Sequence, residues 1–394
     1  MDATQTTVLV TLTGRDRPGV TSRLFTALAA EHDLSVLDIE QVVIRGRLVL
    51  GVLLACGPDP DLTSIHRGLR AVAADLGMDV EITMGSGEPP RRRGQLHVTV
   101  LGSPLLPSAI AAIAGRIAAS GANIDRIDRL ADRPVTCIEL DVSGADPDAL
   151  RTTLTQESVA QGVDVAVQRG GLHRRAMRLI VMDVDSTLIS GEVIDMLAAR
   201  AGCAEQVAKV TAATMRGEVD FAASLAERVG LLAGLDATVL DQVRQDLRLA
   251  PGARTLIRTL RRLGYRCGIV SGGFTQITGP LAEALGLDFS AANTLEVVDG
   301  ELTGGLVGEI VDRPGKARAL ARFAAQYGIP LEQTVAVGDG ANDLDMLNTA
   351  GLGIAFNAKP FVREQAHTAL NQPYLDAVLQ VLGFTRDEVL DAAP

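Results

Sequence analysis

The chain has 394 residues, 47% hydrophobic and 22% charged, a globular composition too long for one ordinary domain and in the range of two to four. A formal net charge of -11 argues against nucleic acid or an anionic membrane surface as a partner. No apolar run reaches the roughly 18 residues of a membrane span, no basic-then-apolar leader opens the chain, and four cysteines without metal-ligand spacing fit a reduced, cytoplasmic setting.

In chain order, residues 5–13 alternate β-formers and predict a strand. Turn chemistry at Gly14-Arg15-Asp16-Arg17-Pro18-Gly19-Val20 leads into a helix reaching about Glu31. Strands at Ser35–Ile44 and Leu48–Ala55, a helix at Leu62–Leu76 and a strand at Met78–Thr83 complete a βαββαβ order, a ferredoxin-like unit over 1–86. Residues 85–94, rich in Gly, Pro and Arg, read as a linker. The pattern then repeats over 95–169: strand Leu96–Gly102, helix Leu106–Ser120, strands Asn123–Leu130 and Val135–Val142, helix Asp146–Ser158, strand Val163–Gln168. That is an internal duplication.

After a Gly170-Gly171 hinge, strands alternate with helices over 177–394, the mark of a parallel α/β sheet. Leu179-Ile180-Val181-Met182 predicts a strand buried on both faces, ending at Asp183 and Asp185. Burying two carboxylates beside an apolar strand is costly unless a cation or a catalytic task holds them there. Residues 195–248 are helical and strand-poor, a cap inserted after the first strand. Helix Ala253–Leu263, strand Arg266–Val270 and helix Gln276–Leu285 follow. A glycine-rich stretch at 300–308 suggests a hairpin or a turn-rich excursion. Helix Lys316–Tyr327, strand Thr334–Val337, helix Leu344–Ala350 and strand Leu352–Ala355 close the pattern.

Three strand or helix ends carry further chemistry. Val270-Ser271-Gly272-Gly273 offers a hydroxyl and backbone N–H groups at a strand end, a phosphate cradle. Lys316 opens a helix after Arg313-Pro314-Gly315. Val337-Gly338-Asp339-Gly340-Ala341-Asn342-Asp343 ends another apolar strand with two acids and an amide.

The order Asp183-Val184-Asp185-Ser186-Thr187, then Ser271, Lys316 and Gly338-Asp339-Gly340-Ala341-Asn342-Asp343, resembles the haloacid dehalogenase (HAD) superfamily. The resemblance implies a Rossmann-like parallel-sheet core with a helical cap, and an aspartyl-phosphate mechanism. It makes Asp183 the nucleophile and the Asp185 side chain the general acid and base. Ser271, the Gly272 N–H and Lys316 hold the phosphoryl group. Mg2+ is held by Asp183, the Asp185 backbone carbonyl and Asp339, with Asp343 in support. The second acid favours phosphate over carbon chemistry.

In the cap, Gly191-Glu192-Val193-Ile194-Asp195, Met215-Arg216-Gly217-Glu218-Val219-Asp220-Phe221 and Leu225-Ala226-Glu227-Arg228 resemble the phosphoserine phosphatase family across 178–375. Carried over, Glu192 pairs with a substrate ammonium and Arg228 with its carboxylate, a match for a planar bidentate cation. Met215 and Phe221 shield the site, and Asn342 contacts substrate beside the phosphate.

The two N-terminal units resemble ACT domains. Asp16-Arg17-Pro18-Gly19 matches that family's amino-acid loop, which makes Asp16 and Gly19 candidate effector contacts. Gly102-Ser103-Pro104 stands at the equivalent point of the second unit without that run. The expectation is an Mg2+-dependent phosphatase for O-phospho-L-serine, a homodimer, with an amino-acid effector at the ACT units. The competing readings are an amino-acid-sensing regulatory protein and a phosphatase or phosphotransferase for another small ester.

Overall fold

The computed structural model describes residues 6–30, 33–57, 60–86, 95–171, 174, 176–215 and 221–391, without the side chains of Ser86, Met215 and Phe221. The chain divides into two units, 1–91 and 92–394. No described helix is long and apolar enough to cross a membrane.

In the first unit, β1 (Thr6–Arg15), β2 (Leu34–Ile44), β3 (Arg47–Cys56) and β4 (Asp79–Ser86) form an antiparallel sheet in the order β2-β3-β1-β4. Helices Val20–Ala29 and Leu62–Leu76 cover one face. The alternation in β1 puts Val8, Val10 and Leu12 against Leu24, Leu28, Ile65 and Leu69. Asp61 caps the second helix by accepting from the Ser64 N–H at 3.0 Å. The edge strand β2 is the exposed one, with every residue after Leu34 exposed. Val36, Ile39, Val42, Val43 and Ile44 stand 43–65% exposed on it.

The second unit opens with the duplicate, β5 (Leu96–Gly102), β6 (Asn123–Ala131), β7 (Thr136–Ser143) and β8 (Asp164–Arg169), again in the order β6-β7-β5-β8. Leu96, Val98 and Val100 pack on its own helices Pro107–Ala119 and Pro147–Gln161. Part of the opposite face is also covered by protein. Leu101, Cys137 and Ala166 join the core that includes Leu375, Val378, Leu379 and Val381 near the C-terminus. Buried polar ties reinforce that seam: Gln168 donates to the Val381 carbonyl at 2.6 Å, and Asp164 accepts from both the Asn371 N–H and Asn371 Nδ2. Arg174 joins Glu139 to the Val381 carbonyl.

The large sheet comprises β9 (Leu179–Met182), β10 (Arg266–Phe274), β11 (Phe289–Val298), β12 (Glu301–Val307), β13 (Thr334–Gly338), β14 (Leu352–Phe356) and β15 (Thr368–Leu370), in the order β12-β11-β10-β9-β13-β14-β15. All its pairings are parallel except β11 with β12. The central β9 is fully buried; Ile180 and Met182 face one core, Leu179 and Val181 the other. Each such side chain contributes about 1.5–3 kcal/mol by burial. Among the described residues, four helices form the cap region: Val193–Ala201, Ala204–Met215, Phe221–Gly230 and Val239–Asp246. Two strands are additions to the elements predicted from sequence. β11 was hidden by its polar Ser290, Asn293, Thr294 and Glu296, and β15 by its length of three residues. The stretch at 300–308 supplies β12, the second strand of a hairpin with β11.

Candidate active site

Sheet polarity brings the chemistry together, because β9, β10 and β13 run parallel and their carboxyl ends lie side by side. Asp183 follows β9 directly. Its N–H still donates to the Val337 carbonyl at 2.8 Å, so the backbone is held as a strand while the side chain leaves the core. A tight turn over 184–188 follows, with Ser186 at φ 56, a conformation residues with a Cβ rarely take. The turn returns Asp185 to the site. Its Oδ1 accepts from the Val193 N–H at 2.7 Å, at the positive end of the first cap helix, and Ser271 Oγ lies 3.3 Å from its Oδ2.

Lys316 stands in the first turn of helix Arg313–Gln326, whose N-cap Asp312 accepts from the Gly315 N–H at 2.7 Å. It is fully buried, with Nζ 2.7 Å from both Asp183 Oδ1 and Asp343 Oδ1. Burial opposes its charge, but Asp183 and Asp343 outweigh burial and hold the ammonium above its usual range. Asp343 Oδ2 accepts from the Gly340 N–H at 2.9 Å. A Cβ at Gly338 would stand 2.4 Å from Asp343 Cγ, so only glycine lets that carboxylate lie against β13. Asp339 Oδ1 accepts from Thr187 Oγ1 at 2.9 Å, and Asn342 is half-buried beside Gly340.

The acids are far from their aqueous state. Burial, then the neighbouring Asp343, push Asp183 well up, with Lys316 opposing. Burial and Glu192 push Asp185 up to about 7, and burial and Asp343 push Asp339 up to about 6. Asp183, Asp339 and Asp343 each offer an oxygen within 4.8 Å of the others. Apart from its ion pair with Lys316, Asp183 Oδ1 is buried without a hydrogen-bond partner among the described residues. Three clustered carboxylates with only one ammonium among them fit a divalent, oxygen-preferring cation.

On the cap side, Glu192 Oε1 accepts from Ser186 Oγ at 2.7 Å. Arg228 Nε donates to the Ser224 carbonyl at 3.3 Å, and Arg228 forms no ion pair among the described residues. Burial lowers its pKa, with Glu192, Asp195 and Asp185 acting in the opposite sense. Met215 and Phe221 end one cap helix and begin the next, and their side chains lie outside the described residues. Asp16 and Gly19 belong to the first unit, exposed between β1 and its helix, with Gly19 at φ 92. The structure adds Thr187 and Ser186 as partners of Asp339 and Glu192; both lay inside the quoted Asp183–Thr187 motif without an assigned task.

Residues 180–348 match the haloacid dehalogenase-like hydrolase family, and 6–83 and 95–168 each match an ACT domain. A phosphoserine phosphatase of Streptomyces coelicolor is 61% identical over 99% of this chain and 96% of its own. The chain belongs to the phosphoserine phosphatase family. Phosphoserine phosphatase SerB2 of Mycobacterium tuberculosis is 57% identical over 97% of this chain and 94% of its own. A solved phospho-aspartyl intermediate analogue of phosphoserine phosphatase superposes with a TM-score of 0.50 at 42% identity, covering 52% of this chain and 98% of that one.

Proposed function

We propose that this chain hydrolyses O-phospho-L-serine to L-serine and phosphate, with Asp183 as the nucleophile. The observation that carries the reading is the position of Asp183 at the end of β9, 2.7 Å from a fully buried lysine and beside a second acid held near neutrality. The phospho-aspartyl analogue solved for a family member supports the same step. Asp183 attacks phosphorus and the serine alkoxide leaves, forming an aspartyl-phosphate; water then releases phosphate. Asp185, whose pKa near 7 suits proton exchange, protonates the leaving oxygen and then takes the proton of the attacking water. Lys316, Ser271 and the Gly272 N–H hold the phosphoryl oxygens for in-line attack. Asp183, Asp339, Asp343 and the Asp185 carbonyl would hold Mg2+, whose charge offsets the repulsion between carboxylate and phosphate. Glu192 takes the substrate ammonium, Arg228 its carboxylate, and Asn342 the edge near the phosphate.

The ACT units have two roles in this reading: an amino-acid effector site at the Asp16–Gly19 loop and assembly of a homodimer. The uncovered apolar edge of β2 supports the second, since such an edge is a liability for a lone protomer. Sedimentation showing only monomer at micromolar concentration would remove it.

The deciding experiment is phosphate release from O-phospho-L-serine with Mg2+, comparing wild type, Asp183→Asn and Arg228→Ala. Loss in the first and a strong rise in KM in the second support both the nucleophile and amino-acid recognition. Turnover of other esters with indifference to Arg228 would retain the phosphatase and discard serine.

A further inference from the structure

The Ser271-Gly272 turn is held from behind by a side chain outside every motif. Asn293 on β11 is 2% exposed. Its Nδ2 donates to the Gly272 carbonyl at 2.8 Å, and its Oδ1 accepts from the Val311 N–H at 2.8 Å. A carbonyl on one side and an N–H on the other fix which way the amide points. The Gly272 carbonyl shares a peptide with the Gly273 N–H, and that N–H donates to Ser271 Oγ at 2.8 Å. The Gly272–Gly273 peptide is therefore held at both poles. With Oγ accepting from Gly273, the Ser271 proton points away from the turn, toward Asp185 Oδ2 at 3.3 Å. That contact is long for a hydroxyl donor, and a phosphoryl oxygen is a competitive acceptor. At its other end Asn293 holds Val311, one residue before Asp312, the cap of the Lys316 helix. One buried amide thus joins the phosphate turn to the segment that launches the lysine.

We propose that Asn293 is a positioning residue that sets the spacing between the Ser271-Gly272 donors and Lys316, and so the geometry of the phosphoryl cradle. It touches no substrate. The inference rests on the reading of Ser271, Gly272 and Lys316 as the groups that hold phosphate, not on the identity of the ester. Asn293→Asp keeps the shape and the acceptor for Val311 while setting an oxygen against the Gly272 carbonyl; Asn293→Ala removes both ties. The full chain with Mg2+ is assayed on O-phospho-L-serine and on p-nitrophenyl phosphate, with inorganic phosphate as product inhibitor, well below each variant's Tm. The expected result is a fall in kcat/KM of roughly 10- to 100-fold, the cost of a small misplacement of reacting groups. The loss should be equal on the two esters, with at least a tenfold weaker inhibition by phosphate. Wild type inactive on O-phospho-L-serine but active on the second ester would discard the serine reading and leave this test intact. A lowered Tm with kcat/KM and phosphate inhibition within twofold of wild type would overturn the proposal. Failure of both variants to fold would also overturn it, making Asn293 a folding residue.

Discussion

Replacing Lys316 with methionine removes the one ammonium that pairs with both Asp183 and Asp343 while keeping the length and apolar stem of the side chain. At 2.7 Å and an effective dielectric of about 20, each of its two contacts is worth about 6 kcal/mol before desolvation. Removing the lysine also returns its own desolvation cost, and the acids relieve the remaining charge by taking up protons. The net loss should settle at about 3–5 kcal/mol, the usual result of leaving one side of a buried ion pair. That corresponds to a fall in Tm of roughly 5–8 °C for the unit that carries the site. Turnover should fall about 10²- to 10³-fold, as when one preorganised donor to developing charge is lost. Because the variant site carries one more uncompensated negative charge, the rise in Tm on moving from chelator to Mg2+ should be larger in Lys316→Met than in wild type. Denaturation with and without Mg2+, alongside phosphate release, reads all three quantities. Activity within threefold of wild type, an unshifted Tm, or an Mg2+ response smaller than that of wild type would refute the reasoning.

Three further outcomes follow from the same structure. His367 Nδ1 accepts from the Gly353 N–H at 2.8 Å, and burial lowers its pKa, so the neutral ring is the folded form. Its contribution is complete above about pH 6.5 and is lost as pH falls through the folded value; His367→Gln should flatten that part of a stability–pH curve. A Cβ at Gly353 would meet the Leu347 carbonyl oxygen at 2.1 Å, a backbone atom that cannot step aside, so Gly353→Ala should cost about 1–3 kcal/mol or more in denaturant titration. Arg174→Met leaves the part-buried Glu139 with only the longer contacts to His97 at 3.5 Å and Thr99 Oγ1 at 3.4 Å, and should cost about 1–3 kcal/mol, part of it restored by adding Glu139→Gln in a double-mutant cycle.

The duplicated βαββαβ order, the central strand and the acidic strand ends were legible because each rests on a local rule: period-two alternation, a run buried on both faces, or an apolar strand stopped by charge. The meeting of Asp183, Asp185, Ser271, Lys316, Asp339 and Asp343 was legible only through the order of motifs, since no spacing in the chain states that 133 residues separate two atoms 2.7 Å apart. The seam between β5–β8 and the C-terminal helices was not legible. Thr99, Cys137, Glu139 and Gln168 occupy the face that alternation assigns to solvent, and their polarity hides that they meet protein.

The same reason explains why β11 escaped prediction, and it bears on where function lies. Ser290, Asn293 and Thr294 interrupt the apolar pattern that would mark a strand, yet the segment pairs in parallel with β10 and continues the sheet. A strand that had only to fill space between Phe274 and the hairpin would gain stability from Val or Ile at 293, since a buried amide costs free energy unless both its ends are satisfied. Here both ends are satisfied, and by the Gly272 carbonyl and the Val311 N–H, backbone groups of the Ser271-Gly272 turn and of the segment leading into the Lys316 helix. With Ser271, Gly272 and Lys316 as the phosphoryl cradle proposed above, the break in local consistency falls where that cradle would need a fixed geometry, as expected when a sequence gives up packing for function.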